Sequence, residues 1–139
     1  QVLWTDGKEH RFIEESGAMN VLFVLDGTLV TPPLSDSILD GVTRDSLLTL
    51  AVRLGIPVAE RRVDVEELKE AFDRGQISEA FGSGTAAVIS PIGIIAIDGK
   101  DHTLPAAGGS GVGARLKKAL EDVRYGRAVD TEGWNFIVK

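Results

Sequence analysis

Cysteine is absent from this sequence, and its absence excludes more classes of site than any other feature of the composition. Without it the 139 residues cannot form disulfides, thiolate metal sites or cysteine nucleophiles. Histidine is nearly as scarce, because His10 and His102 are the only two and each lies in or beside a predicted hairpin turn. We therefore predict no metal site and no Ser-His-Asp catalytic set.

Basic segments and long apolar runs are also missing. The formal net charge is −6 and no segment is strongly basic, which argues against a nucleic-acid or anionic-membrane surface. The longest apolar stretch, AAVISPIGIIAI, contains a proline and a glycine and is too short to span a bilayer. No signal-peptide pattern opens the chain. We therefore expect a soluble cytoplasmic protein that binds neither nucleic acid nor membrane.

The residues that are present fit a globular domain. Hydrophobic residues make up 43% of the chain and charged residues 26%, which is an ordinary balance, and the length is sufficient for a core. We predict a single domain over residues 1–139. Because the first residue is Gln1 rather than methionine, we also expect the chain to be a piece of a longer protein.

Turn signals and hydrophobic spacing predict an α+β fold. Three Asp-Gly pairs predict hairpin turns, namely Asp6-Gly7, Asp26-Gly27 and Asp98-Gly99. Helical spacing of apolar residues predicts helices over residues 42–54, 64–75 and 112–125, the second with a capping box formed by Asp64 and Glu67. Hairpins and helices in irregular order favour α+β over a doubly wound sheet.

One segment that could bind an anion is ILDGVTRDSLL, where Gly41 leads into the predicted helix. The first N–H groups of a helix lack intrahelical partners and carry the positive end of its dipole, so a phosphate can bind there without a lysine. The alternative is an ordinary helix start capped by Asp40, Thr43 or Asp45. These residues alone leave both interpretations open.

A second candidate is FGSGTAA, in which two glycines allow close approach of the backbone to a ligand, and Ser83 and Thr85 offer hydroxyls. The alternative is a tight turn between strands, and the spacing fits no Walker motif. Another glycine-rich segment, GGSGVG, does not follow a strand, and we interpret it as a flexible lead into the last helix.

A third candidate is the adjacent pair Glu14 and Glu15, which lies on a predicted strand. Neighbouring strand residues point to opposite faces, so we expect one carboxylate to face solvent and the other the interior. A buried carboxylate needs a cationic or protonated partner. The alternative is a solvated sheet edge without a functional role.

Taken in order and spacing, EESGAMNVLFV, TPPLSDSILDGVTRDSLL, EAFGSGTAAVISPI and the terminal VRYGRAVDTEGW resemble the C-terminal part of branched-chain amino-acid aminotransferases. These are fold-type IV enzymes that use pyridoxal 5′-phosphate. The resemblance implies the C-terminal large domain of that fold, a barrel-like and mostly antiparallel sheet flanked by helices. It also implies a homodimer.

The resemblance implies cofactor roles for five residues. Glu15 matches the glutamate that pairs with the protonated pyridine nitrogen, which would supply the cationic partner that a buried carboxylate needs. Leu39 matches the residue packed on the cofactor ring. Val42 and Thr43 match the pair whose backbone N–H groups bind the cofactor phosphate, and Thr85 matches a threonine whose hydroxyl reaches the same phosphate.

The resemblance also implies substrate contacts and some departures from the family pattern. Ala86 matches a backbone N–H donor to the substrate α-carboxylate. Ala18 stands where some members have a threonine near the substrate, so that side-chain contact is lost. Asp40 stands where proline is frequent. Ala87 and Ser90 take the places of a cysteine pair that forms a redox switch in some mammalian members.

No lysine of this sequence has the context of the family's catalytic lysine, which forms the covalent link to the cofactor and shuttles the α-proton. We expect that lysine, the phosphate-binding arginine and the small substrate domain to lie upstream of Gln1. The resemblance implies that the parent exchanges amino groups between leucine, isoleucine or valine and 2-oxoglutarate, and that this chain alone is inactive. The alternatives are a D-amino-acid transaminase or aminodeoxychorismate lyase of the same fold, and a non-catalytic stand-alone binding domain.

Overall fold

The computed structural model of the protein describes residues 1–138, which form strands and helices in the irregular order that the sequence predicts. The ten strands are β1 (Leu3–Thr5), β2 (Phe12–Ser16), β3 (Met19–Leu25), β4 (Thr28–Thr31), β5 (Val58–Glu60), β6 (Val63–Asp64), β7 (Ile77–Gly84), β8 (Val88–Pro91), β9 (Ile94–Ile97) and β10 (Lys100–Thr103). The helices are α1 (Val42–Arg53), α2 (Val65–Asp73) and α3 (Val112–Arg124), with a 3₁₀ turn at Gly108–Ser110. The α+β prediction is confirmed.

Strand β3 is the centre of an eight-stranded sheet that contains β1 to β8. It pairs antiparallel with β2, β4 and β7, while β4 and β5 form a parallel pair. Strands β9 and β10 form a separate antiparallel hairpin. The sheet is therefore mostly antiparallel, as the resemblance implies.

The sheet is apolar on both faces. One cluster, which includes Leu22, Phe81, Leu47 and Leu116, packs the sheet against α1 and α3. The other lies on the opposite face under α2 and β9, with Phe23 among its members. Successive residues of a strand alternate between faces, so burial on both sides explains the unbroken apolar run VLFVL in β3. Within residues 1–138, no helix combines the length and apolar composition that a bilayer span requires.

All three predicted hairpins are confirmed, and two of them close through a two-residue turn. Asp26 and Gly27 have φ of 47° and 75°, and Asp98 and Gly99 have φ of 51° and 76°, which is the conformation of type I′ turns. The hairpin at Asp6-Gly7 is confirmed as well, because β1 and β2 pair antiparallel, although a loop of residues 6–11 rather than a two-residue turn connects them. There the Asp6 carboxylate accepts backbone N–H groups, foremost that of Phe12 at 2.8 Å, and these bonds lower the pKa of Asp6 well below its usual range.

The predicted helices are confirmed to within two residues at each end, but their caps differ from expectation. The Asp64 side chain accepts the N–H of Glu66 at 2.9 Å, so Asp64 caps α2 as predicted. The capping box is wrong, because the carboxylate of Glu67 binds the guanidinium of Arg61 at 2.6 and 2.9 Å. This ion pair raises the pKa of Arg61.

The N-terminus of helix α3 is capped by a carboxylate from the sheet. Glu79 of β7 accepts the N–H groups of Val112 at 2.5 Å and Gly113 at 2.9 Å. A Cβ atom on Gly113 would lie 3.2 Å from the Phe81 ring, so glycine allows this close approach. The interpretation of GGSGVG as a flexible lead is therefore wrong where the segment meets α3.

Candidate functional site

A cleft of about 560 Å³ opens at the N-terminus of α1. We call it the α1 cleft, and its walls come from the first turn of α1, the β7–β8 turn, the end of α3 and the C-terminal tail. Its lining residues include Val42, Thr43, Thr85, Leu120 and Trp134. The structure thus brings together three of the residues predicted to bind the cofactor phosphate, although the first two and Thr85 lie more than forty positions apart in the sequence.

The N-terminus of α1 is not capped by a side chain of the described residues. Gly41 occupies the N-cap position with extended backbone dihedral angles, φ −77° and ψ 121°. The alternative that Asp40, Thr43 or Asp45 caps this helix is therefore wrong. Because the first N–H groups of a helix have no intrahelical partners, those of α1 remain available to an anion, and the dipole of a 12-residue helix favours negative charge there.

Glu14 and Glu15 are both half-buried, so the expectation that one faces solvent and the other the interior is wrong. Their partners differ, although both hold the loop that precedes α1. Glu14 accepts the hydroxyl of Ser37 at 2.7 Å. Glu15 accepts the backbone N–H of Leu39 at 2.9 Å. The side chain of Leu39 itself is 68% exposed and free to meet a ligand.

Asn20 belongs to the same cluster, and the sequence reasoning missed it. Its side-chain amide donates to the carbonyl of Leu39 at 2.8 Å and to Oε1 of Glu15 at 3.4 Å. Glu15 and Asn20 are cross-strand partners in β2 and β3. One signal was present, since Asn20 is the only polar residue of the run NVLFVL.

The turn that contains Thr85 and Ala86 is exposed and joins β7 to β8. The turn ends at Val88, a β-branched residue with φ of 61°. The N–H of Ile89 donates to the carbonyl of Ala87 at 2.7 Å, which makes a γ-turn centred on Val88. A γ-turn with positive φ is strained, and β-branched residues adopt such φ rarely. The buried side chain of Val88 helps to hold this conformation, and strain of this kind clusters at ligand-binding sites.

Ala18 lies in the exposed turn between β2 and β3. Asn20 pairs with Ser83 across the antiparallel strands β3 and β7, so the start of β3 meets the end of β7. The turn that carries Ala18 and the turn that carries Ala86 therefore lie at the same end of the sheet. Both residues predicted to contact substrate are on that end.

Ser83 provides a test of whether the site suits a phosphate. It is 1% exposed, and its hydroxyl has no hydrogen-bond partner among the described residues. Directly opposed residues of antiparallel strands project to one face, so the hydroxyl lies on the face that carries Asn20. Buried polar groups are normally paired, and an unpaired buried hydroxyl on the sheet face that carries Asn20 is compatible with a polar ligand. The donor set is N–H and O–H groups, which suit a phosphate.

The family model described as amino-transferase class IV matches residues 1–95 of the chain. Among curated proteins, a probable branched-chain-amino-acid aminotransferase of Staphylococcus aureus strain N315 is 43% identical over 138 residues, which is 99% of this chain and 38% of that protein. Branched-chain-amino-acid transaminase 1 of Bacillus subtilis strain 168 is 41% identical over 138 residues, 99% of this chain and 39% of that protein.

Solved structures of branched-chain amino acid aminotransferases are also similar to this chain. The branched-chain amino acid aminotransferase from Escherichia coli is similar with a TM-score of 0.72 and 36% identity, over 88% of this chain and 38% of that one. The enzyme of the same description from Thermobaculum terrenum in its pyridoxal phosphate form has a TM-score of 0.67 and 35% identity, over 84% of this chain and 35% of that one. The chain thus spans less than two-fifths of the length of these relatives.

Proposed function

The chain belongs to the class IV aminotransferase family, and from that premise we propose that it is the C-terminal, cofactor-binding part of a branched-chain amino-acid aminotransferase. The parent transfers the amino group of leucine, isoleucine or valine to 2-oxoglutarate. The observation that carries the proposal is the α1 cleft, where Val42, Thr43 and Thr85 meet at an uncapped helix N-terminus. We extend the proposal to a cytoplasmic homodimer and to one domain over residues 1–139.

In this proposal the phosphate of pyridoxal 5′-phosphate binds in the α1 cleft. The backbone N–H groups of Val42 and Thr43 donate to its oxygens, because they lie in the uncapped first turn of α1. The hydroxyl of Thr85 donates from the opposite wall. Charge-assisted hydrogen bonds of this kind are stronger than neutral ones, and Arg124 adds a basic side chain to the lining of the same cleft.

Glu15 is the proposed partner of the pyridine nitrogen. Its half-buried carboxylate is held by the Leu39 N–H, so its position is set before any ligand arrives. A carboxylate beside the ring nitrogen holds the proton on that nitrogen. When bound, the cofactor supplies an electron sink for the carbanion that forms at the substrate α-carbon. The exposed side chain of Leu39 packs against the ring.

The substrate is proposed to approach from the end of the sheet that carries both exposed turns. The N–H of Ala86 binds the substrate α-carboxylate, while Ala18 lines the same side without offering a hydrogen bond. The strained turn at Val88 presents the backbone of Ala86, because it ends the β7–β8 connection abruptly. This arrangement binds the substrate through main-chain groups on this side of the site.

The proton-shuttling lysine is proposed to come from the part of the parent outside these residues. None of the lysines among residues 1–138 lines the α1 cleft. Lys69, for example, is paired with Asp98 at 2.5 Å and Glu66 at 2.7 Å, and these partners raise its pKa. A lysine kept protonated is a poor nucleophile and base. The 139 residues alone are therefore inactive and bind the cofactor weakly.

The test is an amino-donor panel on the full-length protein that contains these residues. Transfer from leucine, isoleucine and valine to 2-oxoglutarate is expected, with little activity on D-alanine. Preference for D-alanine, or release of pyruvate from aminodeoxychorismate, would contradict the proposal in favour of another activity of the same fold. The upstream gene sequence is a separate check, since the proposal predicts a lysine-bearing segment there. Its absence would leave a binding domain without catalysis.

A further inference from the structure

We infer that Asn20 is a positioning residue that fixes the proposed pyridine partner, Glu15, relative to the N-terminus of α1. The inference rests on the proposed function, because it assigns Asn20 to the same cofactor site. A cofactor held at both its phosphate and its ring nitrogen requires a set distance between the two groups that hold it. The structure places one side chain in contact with both.

The first contact set is a closed hydrogen-bonded ring. Oε1 of Glu15 accepts the N–H of Leu39 at 2.9 Å, and the Asn20 amide donates to the carbonyl of the same Leu39 at 2.8 Å. The amide also approaches Oε1 of Glu15 at 3.4 Å. Both donors therefore approach Oε1 of the carboxylate, which leaves Oε2 to face the ring nitrogen in the proposed complex.

The second contact is with Gly41, the N-cap residue of α1. A Cβ atom on Gly41 would collide with Oδ1 of Asn20 and would lie 3.3 Å from Cγ of Asn20. The oxygen end of the Asn20 amide thus packs directly on the backbone that starts the helix. Gly41 N–H donates to the Leu39 carbonyl at 2.9 Å, so the carbonyl held by Asn20 is also bound to the N-cap residue.

Burial and charge explain why asparagine suits this position. Asn20 is 5% exposed, so an unpaired polar group here would carry the full cost of desolvation. An aspartate would place a second carboxylate against Glu15 and the Leu39 carbonyl, where it would be repelled. An apolar side chain would leave the Leu39 carbonyl with one partner fewer. Only a side chain with a donor at the end of this short stem holds Glu15 and the helix start together.

The test compares Asn20→Ala with a matched control on the isotopically labelled chain. Thr31→Val is the control, because the buried Thr31 hydroxyl donates to the Val21 carbonyl at 2.8 Å and forms no hydrogen bond with Glu15, Leu39 or Gly41. Amide hydrogen exchange is measured at Leu39 without ligand. Inorganic phosphate is then titrated while the Val42 and Thr43 amide resonances are followed.

We expect Asn20→Ala to speed hydrogen exchange of the Leu39 N–H by about tenfold, because the loop that contains Leu39 loses one buried hydrogen bond. We also expect it to weaken the phosphate response by a few-fold, about threefold to tenfold, because the first turn of α1 shifts. Thr31→Val should leave both quantities near those of the unaltered chain. Equal effects from the two variants, or no effect from Asn20→Ala, would overturn the role of Asn20.

The two proposals fail in different ways. If phosphate and pyridoxal 5′-phosphate shift no amide of the unaltered chain at Val42, Thr43 or Thr85 even at high millimolar concentration, the proposed cofactor site is overturned. If those amides respond but Asn20→Ala responds equally well, only the role of Asn20 fails. Should Asn20→Ala not fold, the side-chain amide resonances of Asn20 in the unaltered chain decide: they must shift with phosphate, and unchanged resonances overturn the inference.

Discussion

Replacing Gly41 by alanine is expected to destabilise the chain through one contact. The extended backbone at Gly41 suits any residue, so the substitution introduces no dihedral strain. The added Cβ meets Oδ1 of Asn20 and lies 3.6 Å from Cβ of Arg44. Asn20 cannot retreat without breaking its bond to the Leu39 carbonyl. The collision therefore moves either the asparagine or the first turn of α1.

The expected cost follows from two opposing effects. Overpacking a filled site costs about 1–3 kcal/mol, while alanine reduces the entropy of the unfolded chain and recovers about 0.4–1 kcal/mol. The difference between the midpoints of the two ranges gives an expected net loss of about 1.3 kcal/mol. Urea denaturation followed by circular dichroism measures this value, with an unchanged slope as evidence that the unfolded state is unaffected.

The matched control is Gly7→Ala, because a Cβ on Gly7 meets nothing within 4 Å. It should be neutral or slightly stabilising. Gly41→Ala should also weaken binding of inorganic phosphate in the α1 cleft, whereas Gly7→Ala should not. Equal urea midpoints and equal phosphate binding in the two variants would show that the contact between Gly41 and Asn20 has no such effect.

Three further predictions follow from other contacts. Glu15→Gln in the full-length enzyme should lower turnover far more than thermal stability, since it removes the charge proposed to hold the ring-nitrogen proton; equal losses would make Glu15 merely structural. Glu79→Ala should destabilise the chain by about 1–2 kcal/mol, because the N–H groups of Val112 and Gly113 lose their acceptor; chemical denaturation measures it. Because folding lowers the pKa of Asp6, this carboxylate stabilises the folded chain at pH values above its unfolded pKa of 3.8. That stabilisation is lost as the pH falls toward the pKa of the folded chain. Asp6→Asn should remove that part of the acid dependence in denaturation curves recorded between about pH 5 and 2, and an unchanged dependence would refute it.

Local signals in the sequence account for much of the fold. The type I′ turn at Asp26-Gly27 and the bounds of α1 follow from neighbouring residues, because the turn residues and the apolar spacing lie within the element itself. Gly55 ends α1 with φ of 70°, which local reasoning also predicts. These features depend on contacts a few residues apart, and such contacts are visible in the sequence.

Features that depend on distant partners could not be predicted in this way. Glu79 caps a helix that starts 33 residues later, and nothing near either segment indicates the pairing. Glu67 satisfies the pattern of a capping box, but Arg61 competes successfully for its carboxylate. Asn20 was visible only as a polar residue in an apolar strand, and its role depends on a loop 19 residues away. The candidate site was predicted through resemblance to a family, whereas the side chain that holds its parts together required the structure.

A crystal structure of the full-length enzyme with bound pyridoxal 5′-phosphate would test the proposed cofactor site most directly. The phosphate is expected at the N-terminus of α1, within hydrogen-bond distance of the Val42 and Thr43 N–H groups and the Thr85 hydroxyl. A carboxylate oxygen of Glu15 is expected at the ring nitrogen. A phosphate bound elsewhere, or a ring nitrogen facing another residue, would contradict the proposed site.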